Sequence, residues 1–189
     1  TLDAIMEDCE ALLLALAPKG CLSYQGADLD LTPPFPRFAF YDLLRERAGV
    51  SEPERLSHDE ALKAFVDRVE QTLGFERPCF VVDYPASMAS LARIKVEAPQ
   101  LAERTELYAA GLELANGFDE LTDADEQRKR CVEDNEQRAA LGLPTLPLDE
   151  KFLDALAQGM PHTAGIALGV DRLMMLMTDS DRIDDVLAF

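Results

Sequence analysis

Three glutamates, Glu106, Glu113 and Glu120, recur every seven residues through ELYAAGLELANGFDEL, a stretch otherwise made of apolar and small side chains. Such spacing suits an acidic stripe on a helix, but the residues between argue against one. Gly111 and Gly117 interrupt the run, and a glycine inside a helix costs about 1 kcal/mol. Leu107, Tyr108, Leu112, Leu114 and Phe118 gather on no single helical face. A β-hairpin holds the same residues better. With Ala109 and Ala110 as a two-residue turn, Tyr108 faces Gly111, Leu107 faces Leu112, and Glu106 faces Glu113. The two carboxylates then project from one face as cross-strand neighbours. Ala-Ala is not a favoured turn pair, so a register that recruits Gly111 stays open.

Like charges directly opposite each other are destabilising. A buried pair must take up a proton or bind a cation. Magnesium suits such a pair, being a hard ion held by one or two carboxylates plus substrate phosphates. A solvated acidic face is the alternative. Glu120 is open between a surface residue and a counter-charge for a substrate ammonium.

A second constellation lies in GMPHTAGIALGVDRLMML, residues 159 to 176, where Gly165, Ala167 and Gly169 occupy alternate positions. Alternate residues of a strand share a face. A strand face without side chains packs poorly unless another backbone or a flat ligand lies on it. A purine ring or an amino-acid backbone fits there. Arg172 follows at the start of a helix, where a permanently charged guanidinium can clamp phosphate oxygens. The alternative is a close-packed strand with a salt-bridged arginine. Leu173, Met174, Leu176 and Met177 read as helix core. His58 and His162 read as surface histidines without partners, and no serine or cysteine sits in a nucleophile motif.

The rest of the chain frames these stretches. Leu2, Ile5, Met6, Cys9, Leu13 and Leu16 predict a helix over 2–17, ended by Pro18 and Gly20. Residues 31–39 predict a short edge strand entering a helix at Tyr41–Arg47, and Ser57 or Asp59 caps a helix running to Gly74. CFVVDY, 79–84, reads as a buried strand. Thr122 or Asp123 with Glu126 opens an exposed helix to Leu141, and another spans Asp149–Gln158. Helices first and then sheet predict an α+β fold with a mainly antiparallel sheet flanked by helices, without a second domain.

Thirty-six acidic against 18 basic residues give a net charge of −18, which argues against a nucleic-acid-binding surface or an anionic membrane as partner. Cys9, Cys21, Cys79 and Cys131 form no CxxC pair, which fits a reducing cytoplasm. No apolar run reaches membrane-spanning length.

Together the two constellations resemble the C-terminal half of a class II aminoacyl-tRNA synthetase catalytic domain, nearest to the lysyl type. GLELANGFDELTDADEQRKR resembles the stretch carrying its amino-acid pocket. AGIALGVDRLMMLMTDSDRIDDVLAF resembles the third class-defining motif, and PFPRFAFYDLLRERAGV the segment after the second. YPASMASLA, 84–92, and Ala167 are more similar to the stand-alone paralogues that attach (R)-β-lysine to a lysine of elongation factor P. Lysyl-tRNA synthetases normally carry glycine where Ala167 stands.

The resemblance implies an ATP- and magnesium-dependent ligase. Glu106 and Glu113 would hold magnesium, and Glu113 and Leu114 would lie against ATP. Asn116 would hold the amino or carboxylate group of a lysine-like amino acid, with Glu120 on its ammonium and Ala167 on the pocket floor. Gly169 would make room for ATP and Arg172 would grip its γ-phosphate. The acceptor would be elongation factor P, the alternative being tRNA-Lys. A non-catalytic amino-acid- or partner-binding paralogue is the alternative of another class. Residues 1–189 match neither the first nor the second class-defining motif. The expectation is therefore a partial catalytic domain, inactive alone, from a longer homodimeric protein.

Overall fold

The computed structural model describes residues 1–188; Phe189, the last residue of the motif-like C-terminal stretch, lies outside them. Thr1 opens the first helix by accepting from the Ala4 amide, satisfying one of the free N–H groups at a helix start. Helix α1 (Leu2–Leu16) buries Met6, Cys9 and Leu13, three positions at helical spacing. A short hairpin follows that the sequence reading did not anticipate, β1 (Cys21–Tyr24) paired with β2 (Ala27–Asp30). Its turn places Gln25 and Gly26 at positive φ, as tight hairpin turns require.

Strand β3 (Arg37–Ala39) runs straight into helix α2 (Phe40–Glu46). Ser57 and Glu60 form a reciprocal capping box for helix α3 (His58–Arg68). The helix predicted to reach Gly74 stops at Arg68 and gives way to a single 3-10 turn, Glu70–Thr72. The physical reason is Gly74, whose φ is +73 and whose backbone lies against Tyr108 and Ala109. A Cβ there would sit 2.6 Å from the Tyr108 carbonyl oxygen. Gly74→Ala is therefore expected to destabilise the chain by about 1–3 kcal/mol from backbone strain, with the repulsive contact added. Urea denaturation of the two chains checks this.

Strands β4 (Cys79–Pro85), β5 (Leu101–Ala109), β6 (Leu112–Asp119) and β7 (Ala164–Leu168) complete a five-stranded sheet of order β3-β4-β5-β6-β7. Only the β3–β4 pair is parallel, so the α+β, mainly antiparallel expectation holds. Asp123 caps helix α4 (Ala124–Ala140) and Asp149 caps helix α5 (Glu150–Ala157), while helix α6 (Val170–Thr178) starts at Gly169.

Period-2 alternation sorts the sheet into two faces. Phe80, Leu107, Ala109, Leu114 and Ala115 join a core with Met6, Cys9 and Leu13 of α1. On the other face Cys79, Val81, Tyr84 and Tyr108 pack under Phe40, Leu43 and Leu44 of α2 and Phe65 of α3. Those helices cover the β4–β5 end of that face and leave β6 and β7 accessible. This uneven cover is what creates a cleft.

The hairpin register differs from the expected one. Ala110 and Gly111, with φ of 49° and 77°, form the turn. Ala109 pairs with Leu112 and Tyr108 with Glu113, after which the register slips by one residue. Glu106 consequently faces Asn116, not Glu113. Segment 73–74 imposes the turn: the Ala110 amide donates to Gly74 O (2.9 Å) and the Gly111 amide to Leu73 O (2.8 Å). The slip restores the parity that matters, because Glu106, Tyr108, Glu113 and Asn116 all project from the same face.

Candidate active site

Glu106 sits at the centre of the cleft floor, 6% exposed. Its Oε1 accepts from Arg104 Nη2 (2.5 Å) and Asn116 Nδ2 (3.1 Å). Its Oε2 accepts from the hydroxyls of Tyr84 (2.5 Å) and Tyr108 (2.6 Å). Burial, and then the Glu106 carboxylate beside them, push both phenols above the usual tyrosine range, so they remain donors. Arg104 also donates to the Met88 carbonyl (2.7 Å) and stacks its guanidinium 4.6 Å from the Tyr84 ring centroid. A buried carboxylate needs such partners, because an unpaired one would lose its hydration without return.

Glu113 lies at the mouth. Its side chain meets Arg172 Nη1 at 3.3 Å, and the same nitrogen donates to the Glu113 carbonyl at 2.8 Å. Burial first and the Glu106 charge second push the Glu113 carboxyl above the usual range, with Arg172 pulling it back. Glu70, on the 3-10 turn, lines the same cavity of about 480 Å³ with Glu106 and Glu113. Burial and those two carboxylates raise its carboxyl as well. Among the described residues no group of three or more histidines, cysteines and acids converges as a metal cage. A cation here would take its remaining ligands from substrate and water.

A second cavity of about 320 Å³ adjoins the first at Glu113 and is lined by Asn116, Ala167, Gly169 and Arg172. Ala167 pairs with Asn116 across β6–β7 and shares its face. A Cβ built on Gly169 would meet nothing closer than 3.6 Å, so the protein's own packing does not demand glycine there. Leu114 follows Glu113 on β6. Its side chain is buried in the α1-side core and its carbonyl accepts from the Gly169 amide (2.8 Å), which leaves only backbone toward the cleft.

Glu120 stands farther along, four residues from Asn116, or ~13 Å of strand. Its carboxylate lies over Gly165, where an added Cβ would come within 2.8 Å of Oε1. Burial and the neighbouring Asp119 raise its carboxyl. Between the two sit Phe118 and its cross-strand partner Gly165, an apolar floor of methylene-chain length.

Glu106, Glu113, Asn116, Ala167, Gly169 and Arg172 are thus brought to one cleft, with Glu120 at its far end. The sequence reading passed over Arg104, Tyr84, Tyr108 and Glu70. Arg104, Glu106 and Tyr108 were visible as alternate residues of one strand. Tyr84 and Glu70 arrive from distant segments and left no local signal. His162, read as unpartnered, in fact contacts both oxygens of buried Asp119, at 2.6 and 2.8 Å.

Chain-wide comparison decides the family. The profile of the tRNA synthetases class II (D, K and N) matches residues 1–189. The chain belongs to that family. Within the class II synthetases it is 47% identical to the elongation factor P–(R)-β-lysine ligase of Proteus mirabilis over 188 residues, 96% of this chain and 56% of that protein. It is 47% identical to the ligase of that name from Edwardsiella ictaluri over 174 residues, 89% of this chain and 54% of the relative. The Salmonella typhi ligase is 44% identical across 190 aligned positions, 97% and 58%. The chain therefore spans little more than half the length of these class II relatives. Among the described residues no helix is long and apolar enough to cross a membrane.

Proposed function

We propose that this chain is the C-terminal part of the catalytic domain of an ATP-dependent ligase. The full protein activates (R)-β-lysine as an adenylate and transfers it to a lysine of elongation factor P. The observation that carries the reading is the single cleft face on which Glu113 and Arg172, Asn116, and Glu120 succeed one another. Relatives of this chain carry the name of that ligase at 44–47% identity.

ATP and magnesium fit the residues present. The open space above Gly169 takes the nucleotide, and Arg172 supplies a cation for its phosphates. Glu113 has an under-used carboxylate for magnesium, while Glu106 joins only by exchanging one of its four donors. Bound magnesium would neutralise phosphate charge during attack of the substrate carboxylate on the α-phosphate, with pyrophosphate leaving. The protein's own contribution is placement and charge, so a nucleophilic side chain is not needed.

The amino-acid end is read by Asn116 and Glu120. Asn116 turns its NH₂ to Glu106, which leaves Oδ1 without a partner among the described residues. Asn116 would hold the amino or carboxylate group of that amino acid. Glu120 takes the side-chain ammonium, and the Phe118–Gly165 floor takes the methylenes between it and Asn116. Glu120 titrates above an ordinary glutamate and must be ionised to bind. Affinity for β-lysine is therefore expected to be flat at neutral pH and to weaken as pH falls through that raised value. The weakening begins at higher pH than a free glutamate would give, and calorimetry from pH 7.5 down to about 4.5 reads it directly.

The Ala167 methyl reshapes the floor beside Asn116. Ala167→Gly is expected to shift the ratio of kcat/KM for β-lysine and α-lysine toward α-lysine by about tenfold, the usual scale for one methyl in a pocket. The acceptor is tested by incubating the longest natural form of the protein with ATP, magnesium, (R)-β-lysine and elongation factor P. A mass gain of one β-lysyl group on a single lysine supports the proposal; an unmodified factor alongside charged tRNA-Lys overturns it.

A further inference from the structure

His162 lies in the segment that leads into β7, and its imidazole crosses to the end of β6. Nε2 stands 2.6 and 2.8 Å from the two carboxylate oxygens of Asp119, so the tautomer this partner assigns carries its hydrogen there. The two sides of the contact differ in exposure, 51% for the His162 side chain against 6% for Asp119. A fully exposed pair would contribute little, but a carboxylate this buried needs partners in place of its lost water. Arg93 supplies only a longer contact, Nη2 at 3.4 Å, and its own Nε is buried without a partner. Among the described residues His162 therefore provides both short contacts to the Asp119 carboxylate.

The contact ties down a segment that has few other attachments. Between Gly159, with φ of 105°, and Ala164, the chain reaches the sheet through two hydrogen-bonded contacts among the described residues. One is His162 with Asp119. The other is the Thr163 carbonyl, which accepts from the Glu120 amide at 2.9 Å. Glu120 follows Asp119 directly, and its carboxylate lies over Gly165 of β7. Alternation puts Asp119 on the face opposite Asn116, Phe118 and Glu120, so His162 works from behind the substrate's side of the sheet. We infer that His162 is a positioning residue for the far end of the amino-acid site, acting through Asp119 to hold the strand ends that carry Glu120 and Gly165. The inference rests on the lysine-like substrate proposed above and adds the residue that fixes its distal ammonium acceptor in place.

Glutamine can offer Asp119 an NH₂ group where histidine has Nε2, whereas alanine leaves Asp119 with Arg93 alone. In the longest natural form of the protein, His162→Ala is expected to raise KM for (R)-β-lysine about tenfold in ATP–pyrophosphate exchange. That is part of the roughly hundredfold that a displacement of about 1 Å can cost. Both kcat and KM for ATP should stay within about twofold, since the phosphate groups lie at the other end of the cleft. His162→Gln should bring the β-lysine KM back to within about threefold of the unmodified protein. Backbone amide exchange, read by mass spectrometry on peptides covering residues 119–121, should quicken in His162→Ala and not in His162→Gln. An unchanged β-lysine KM in His162→Ala, an equal rise in the ATP KM, or a glutamine variant as impaired as the alanine one overturns the inference. An unmodified protein silent with every lysine-like amino acid would remove the proposed function, while amide exchange at 119–121 still reports whether His162 holds that strand end.

Discussion

Replacing Glu106 with alanine is expected to destabilise the chain by about 3–5 kcal/mol, the usual result of removing one partner from a buried ion pair. The substitution leaves Arg104, the Tyr84 and Tyr108 hydroxyls and the Asn116 amide facing an empty space. Each then keeps its desolvation cost without its acceptor. Domains have about 5–15 kcal/mol of net stability, so the loss is a large share of the total. Glu106→Gln should cost less, because it preserves volume and still accepts from two or three of the four donors. Urea denaturation of the 189-residue chain measures both. A loss under about 1 kcal/mol for Glu106→Ala would mean that water replaces the carboxylate freely, and that the cleft floor is not a packed hub.

Arg172→Ala has the opposite profile. Its side chain is 47% exposed and its contact with Glu113 is a half-solvated one, so stability should change by less than about 1 kcal/mol. Activity should not survive so well. A charged donor aimed at developing phosphate charge is worth about 10²–10³ in rate, and kcat/KM for ATP in pyrophosphate exchange should fall by that factor. Loss of Arg172 also frees the Glu113 carboxylate, which burial and Glu106 already hold above the usual range. Magnesium demand should therefore rise together with the ATP KM. An unchanged ATP KM would place the phosphates elsewhere.

Much of this site was legible before any coordinates, for a physical reason. Strands have period two, so Gly165 and Ala167 could be assigned to one face from spacing alone, and β7 bears that out. Caps were readable to within a residue or two because Ser57 and Asp123 act on their own neighbours. The Glu106 pairing was not readable. Its error came from a turn placed at 109–110, whereas the observed 110–111 turn is held by backbone bonds from residues 73 and 74. A contact between segments so distant in sequence leaves no mark on the hairpin itself. The same holds for Tyr84, which reaches Glu106 across a neighbouring strand.

The most direct test of the cleft is ATP–pyrophosphate exchange by the longest natural form of the protein, with (R)-β-lysine and α-lysine compared at equal concentration. The account predicts exchange that requires magnesium, runs faster with β-lysine, and disappears in Glu113→Gln. Exchange that proceeds without a lysine-like amino acid, or survives Glu113→Gln undiminished, would contradict it.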